Sequence, residues 1–177
     1  MTSILKVDEI QNTDGQSALV ITPDGSVSGV KYPEAVAPVG RTITSTTMSS
    51  YEEGTWVPVL EGATTVGTGT YAQQTGTYTR IGNIVICVCR VEITAHTGTG
   101  SMVITGLPFN QTLIGASSVA TIMSNNLTYT KQQLALFGTF NTKKVRLYQF
   151  GPSTNWLAVP MDTAFTGQFQ FTYQTDE

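Results

Sequence analysis

Gln168-Phe169-Gln170-Phe171-Thr172-Tyr173-Gln174 places an aromatic ring at every second position and an amide or hydroxyl between. Side chains alternate faces on a strand, so this stretch predicts a strand with one face buried. Residues 83–95 repeat the pattern at greater length. Val85, Cys87, Cys89, Val91 and Ile93 fall on one face; Ile84, Ile86 and Val88 fall on the other, giving way to Arg90 and Glu92. One end of that strand is therefore expected to be covered on both faces, by a second sheet or a neighbouring subunit. Further strands are expected at 55–60, 70–74, 77–81, 101–105, 118–123, 134–140, 143–150 and 155–159. The turns between them are marked by Gly98, Gly100, Asn125-Asn126, Gly138, Asn141 and Gly151-Pro152. The one helical candidate, Lys131-Gln132-Gln133-Leu134-Ala135-Leu136, is too short to change the class. Short strands at this spacing without a helical period predict an all-β fold, an antiparallel sandwich or jelly roll.

Composition agrees with that class. The 177 residues suit one compact domain with a short appendage, large enough to stand without a disulfide or metal. Charged residues make up only 12% and threonine about one residue in six, which favours strands and turns over surface helices. A net charge of −3 with scattered Lys and Arg gives no electrostatic case for nucleic acid. No apolar run approaches a transmembrane helix, and the opening Met1-Thr2-Ser3-Ile4-Leu5-Lys6 lacks the order of a signal peptide. Membrane insertion and Sec export are not expected.

Three segments are expected. Residues 1–30 carry short apolar strands (Ile4 to Val7, Ala18 to Ile21, Ser26 to Val30) around turns at Asn12 to Gly15 and Pro23 to Gly25. Strands so short need others to pack on, which marks this segment as a β anchor whose Ile4, Leu5, Val7, Ile10, Leu19 and Ile21 meet other copies of the chain or another protein. Residues 31–50, with Pro33, Pro38, Gly40 and a Thr/Ser run, read as a linker. Residues 51–177 form the β domain.

The chemistry of catalysis is largely missing. Glu52 and Glu53 are neighbours and would point to opposite sides of an extended segment, unlike the paired carboxylates of a glycosidase. The single His96 falls in a Gly/Thr loop, a poor place to hold a triad. Cys87 and Cys89 share one face of a strand, so they read as buried free thiols rather than a disulfide or a metal site. Gly67-Thr68-Gly69 and Gly98-Thr99-Gly100 read as hairpin loops, since no helix follows to lend its N-terminus to a phosphate. Neither an enzyme nor a cofactor is expected. Binding is better served. Trp56, Trp156, Tyr129 and Tyr148 have flat rings on which sugars stack, with Trp56 expected in the core and Trp156, beside a turn, exposed. The candidate surface residues are Trp156, Asn155 and Tyr129, with Thr68 and Thr99 at loop tips.

Two segments carry a resemblance. The opening Ile4-Leu5-Lys6-Val7-Asp8-Glu9-Ile10-Gln11-Asn12-Thr13-Asp14-Gly15 resembles the N-terminal segment of tail-fibre and virion proteins of tailed bacteriophages, notably cyanophages. Tyr51-Glu52-Glu53-Gly54-Thr55-Trp56-Val57-Pro58, with Tyr78-Thr79-Arg80-Ile81-Gly82 and Gly106-Leu107-Pro108-Phe109, is similar to a C-terminal head module of such fibres. In that module Gly54 would allow a turn, Trp56 would pack, and Pro58 would suit an edge strand. The resemblance implies a homotrimeric virion protein, assembled in the host cytoplasm and exposed on the particle exterior. It would be joined to other tail, baseplate or capsid proteins through residues 1–50. A short tail fibre binding a host-surface glycan through its β head is the first expectation. A capsid decoration or cement protein is the alternative.

Overall fold

In the computed structural model the described residues are 9–11, 17–21, 27–31, 47–48, 50–112, 119–152 and 155–177. The expected contacts of Ile4, Leu5 and Val7, and the turns at 12–15 and 23–25, lie outside them. The chain divides into two compact units, Met1–Tyr51 and Glu52–Glu177.

The first unit holds a four-stranded antiparallel sheet in the order β1-β2-β3-β4. Its strands are β1 (Glu9–Gln11), β2 (Ser17–Ile21), β3 (Val27–Lys31) and β4 (Thr47–Met48). Ile10 pairs with Leu19, and Leu19 with Val30. At the two ends of the segment read as a linker, Thr47 and Met48 pair with Lys31 and Val30 in the same sheet.

The second unit is an all-β antiparallel sandwich. Its strands are β5 (Glu52–Trp56), β6 (Val59–Gly62), β7 (Gly69–Ile81), β8 (Ile84–His96), β9 (Met102–Thr105), β10 (Val119–Asn125), β11 (Gln133–Thr139), β12 (Lys144–Phe150), β13 (Leu157–Ala158) and β14 (Phe165–Gln174). One sheet runs β10-β14-β8-β7-β5; the other runs β11-β12-β9-β6, with β13 beside β12. The alternating faces read from the sequence supply the core. Val85, Cys87, Cys89, Val91 and Ile93 of β8 and Phe165, Phe169, Phe171 and Tyr173 of β14 pack against Leu60, Ile104, Leu136, Val145 and Leu147 from the other sheet.

Three expectations about elements are corrected. The strand expected at 55–60 is two strands, because the chain leaves the edge of one sheet at Val57-Pro58 and joins the edge of the other. Proline has no amide to give a ladder, and such a crossing is where its loss is tolerated. The strands expected at 70–74 and 77–81 are one, β7, whose register with β8 shifts at Tyr71 and is back in its earlier alignment by Gln73. The helical candidate at 131–136 enters strand β11 from Gln133, because Leu134 and Leu136 are neighbours on one face only when extended. On the other face of β8, no second sheet among the described residues covers Ile84, Ile86 and Val88, which are exposed in the single chain and leave a neighbouring subunit as the expected cover.

The three diagnostic motifs are each other's packing partners. Trp56 is buried edge-on to Phe171 at 6.2 Å, and its Nε1 donates to the Thr77 carbonyl at 3.2 Å. Gly76 lies beneath the indole: a Cβ there would sit 2.6 Å from Nε1. Gly54 is not a turn but a β5 residue whose missing side chain makes room for the Tyr78 ring, 2.6 Å from where a Cβ would be. Tyr78 stands edge-on to Phe109 at 5.5 Å, the Arg80 guanidinium lies 4.7 Å over the same ring, and the Tyr173 hydroxyl donates to the Phe109 carbonyl at 3.2 Å. Gly82, at φ 60°, turns the two-residue hairpin between Ile81 and Ile84.

Candidate functional site

The outer face of the β11-β12 ladder carries the site. Along β12, Val145, Leu147 and Gln149 point inward, so Lys144, Arg146, Tyr148 and Phe150 point outward. Their cross-strand partners on β11 include Phe137, opposite Arg146, and Ala135, opposite Tyr148. Residues opposite one another in an antiparallel ladder share a face, which brings Phe137 beside Tyr148. The two rings meet edge-on at 6.0 Å. Trp156, just before β13, completes the group at 6.0 Å from Phe137 and 6.4 Å from Tyr148. It remains 66% exposed, so the indole is supported by two rings and open to solvent.

Polar contacts fix β12 and its neighbouring loops. Lys144 is held by Glu61 at 2.9 Å, and Glu61 also accepts from Thr105 at 3.3 Å. Gln149, buried beside Tyr148, uses its Oε1 to accept from the Thr130 amide at 2.7 Å and the Lys131 amide at 3.0 Å. Those bonds fasten the loop that carries exposed Tyr129 to strand β12. Asp162 accepts from the Thr128 amide at 2.5 Å at the other end of that loop. Asn155 is exposed beside Trp156. Three of the residues expected at a binding surface, Trp156, Asn155 and Tyr129, thus border one strand pair.

Thr68 and Thr99 belong elsewhere, to a junction of two loops. Thr68 accepts from the Thr97 amide at 3.1 Å, and Thr99 bridges Thr65. A Cβ on Gly67 would sit 2.0 Å from the Gly98 nitrogen, so the loops touch through their glycines. His96 is buried here at the end of β8, not exposed as its Gly/Thr surroundings suggested. Its Nδ1 accepts from the Gly98 amide at 2.9 Å, so its Nε2 donates to the Leu60 carbonyl at 3.0 Å. The ring holds the junction together.

The anchor candidates are placed in part. Ile10 is exposed on β1, Leu19 and Ile21 stand in β2, and Ile4, Leu5 and Val7 are outside the described residues.

The carboxylates are scattered, each with its own partner: Glu52 accepts from the Tyr78 hydroxyl, Glu92 lies 3.8 Å from Arg90, and Glu177 holds Asn110. The hydrogen bond to Glu52 raises the Tyr78 pKa. Cys87 and Cys89 are free and buried, and burial pushes both thiols up to about 12. Burial likewise raises Tyr173. Among the described residues no three His, Cys, Asp or Glu side chains gather as metal ligands would.

Sequence reasoning named Tyr148 as a stacking ring but passed over Phe137. The signal was present: Phe137 lies at an outward position of an alternating strand, where an aromatic has no core to fill. Finding it required the register that pairs β11 with β12.

The chain matches no protein-family model and no curated protein. Among solved structures it is similar to the Dettilon tailspike protein (gp208), with a TM-score of 0.57 and 18% identity, over 70% of this chain and 24% of that one. At that identity the likeness is one of fold, and it reaches about a quarter of the tailspike's length.

Proposed function

We propose that this chain is a structural protein of a bacteriophage tail that holds a sugar of the host surface on the Phe137–Tyr148–Trp156 platform. The observation that carries the reading is the exposed indole on two supporting rings. A pyranose has an apolar face of CH groups that stacks on such a ring, while nearby polar groups orient its hydroxyls. Exposed Asn155, next to Trp156, and Arg146, opposite Phe137, supply those groups. The sandwich's likeness to part of a tailspike favours the tail over the capsid as the place of assembly. In this reading the protein sits on the virion exterior as a homotrimer, is joined to the particle through residues 1–50, and binds without catalysis.

The test is binding of purified full-length chain to host cells and to a panel of bacterial surface polysaccharides. Trp156→Ala should lower the affinity about tenfold, the scale of one well-placed aromatic contact, with an unchanged melting curve. Unchanged binding by that variant, or no binding by the parent chain, rejects the platform. Antibody labelling of particles separates tail from capsid: label at the tail is expected, and even labelling of the shell would reject it.

A further inference from the structure

The outer face of the β11-β12 ladder carries one charge that the fold does not answer. The strands of its sheet, β6, β9, β11, β12 and β13, contain two cations, Lys144 and Arg146, against one acid, Glu61. Glu61 is committed twice: one carboxylate oxygen holds Lys144 at 2.9 Å and the other accepts from Thr105 at 3.3 Å. Arg146 is exposed and points outward between Lys144 and Tyr148. Across the ladder it meets Phe137 on β11 and Val103 on β9, whose side chains accept no hydrogen bond. Ion pairs among the described residues join Arg90 to Glu92 and Lys144 to Glu61, which leaves Arg146 without an acid. Arg80, by contrast, is occupied by the carbonyls of Gly82 and Glu177.

We infer that the sugar held on the platform is an acidic one, a pyranose bearing a carboxylate, and that Arg146 binds that carboxylate. The inference rests on the sugar-binding reading above and names the class of sugar. Position gives the charge its meaning. Directly opposed residues of a ladder have Cβ atoms about 5 Å apart, so Arg146 is rooted beside Phe137. Tyr148 follows two residues along the same face of β12, and both rings support Trp156, at 6.0 and 6.4 Å. A guanidinium presents its N–H donors in a planar fork that fits the two oxygens of a carboxylate, and it stays charged at any working pH. A neutral hydroxyl needs no such fork; the Asn155 amide offers it both a donor and an acceptor. In a uronic acid the carboxylate is borne on a carbon of the pyranose ring. One residue then lays an apolar face on the indole and turns an anion from its edge toward Arg146. A single unpaired cation also sets the scale: it answers one carboxylate, not the run of phosphates in a nucleic acid.

The test compares charged and neutralised forms of the same polymer. Full-length chain is offered purified bacterial polysaccharides that contain uronic acid, each as isolated and after reduction of its carboxyls to alcohols. Neutral and phosphate-bearing polysaccharides complete the panel. The parent chain should bind a native uronic-acid polymer about tenfold or more tighter than its reduced form, the scale of one charge-assisted contact. Raising sodium chloride from about 50 to about 500 mM should weaken that binding by screening. Arg146→Gln should bind native and reduced forms alike, with little response to salt and an unchanged melting curve. Trp156→Ala should weaken both forms. Equal parent binding to native and reduced polymer, a preference for neutral or phosphate-bearing members, or an Arg146→Gln variant that still favours the native form overturns the acidic class. The platform survives each of those results where Trp156→Ala still lowers binding. A parent chain that binds no polysaccharide rejects the platform and this inference together. Carboxyl reduction decides on the parent chain even if Arg146→Gln does not fold.

Discussion

At the scale of single residues, the side chains that looked chemical hold structure. Cys87 is the clearest case. It faces the core from the middle of β8, with Cys89 two residues along, and the pair is free. An ordinary thiol loses its proton near pH 9, whereas these two are pushed up to about 12 by burial. Between those values the unfolded chain releases protons that the folded chain keeps. The raised pKa therefore contributes stability that is complete below about pH 9 and is lost as pH rises toward 12. Urea unfolding should show a midpoint steady to about pH 9 that then falls, and a Cys87→Ala/Cys89→Ala double variant should fall less steeply over the same range. A parallel decline in both proteins would assign the effect to other groups. The same residues show what sequence alone could read. Alternation put both thiols on an inward face, because period two is a property of any strand. His96 was misread because its neighbours are small and polar, whereas its burial comes from Leu60 and Gly98, remote or out of pattern.

At the scale of elements, β8 and β14 could be read from the sequence because each has one buried face along its length. The break at Val57-Pro58 and the joining of β7 could not, because sheet membership depends on partners distant in the chain. The platform shows the same division. Trp156 and Tyr148 were visible as aromatics, but their meeting with Phe137 is a consequence of β11-β12 register. One buried amide, Gln149, fastens the loop of Tyr129 to β12. Gln149→Leu would leave the Thr130 and Lys131 amides without their acceptor in a partly buried setting. Each lost acceptor costs roughly 1–3 kcal/mol where water cannot replace it. We expect the variant to lose about 2 kcal/mol of stability, and the two amides to exchange faster with deuterium. Unaltered exchange at Thr130 and Lys131 would show that the loop is fastened elsewhere.

At the scale of the whole molecule, the second unit has a core of its own. Among the described residues the hydrophobic core cluster lies between Trp56 and Tyr173. The first unit's strands are two to five residues long, and small sheets of that kind lean on other layers for their stability. The diagnostic motifs also complete their contacts inside the second unit, from Gly54 beneath Tyr78 to Arg80 over Phe109. The second unit thus contains its own core and the Phe137–Tyr148–Trp156 trio, and in the reading proposed above attachment falls to the segment before it. The homotrimer proposed above would present several platforms at once, so that weak single sites would hold a particle by avidity. Residues 52–177 expressed alone should therefore fold, unfolding in urea in one cooperative transition with a stability of about 5–15 kcal/mol. The near-ultraviolet spectrum should report Trp56 fixed against Phe171. A fragment with strand content but no cooperative transition would mean that the core needs the first unit, and attachment could not then be a separable role.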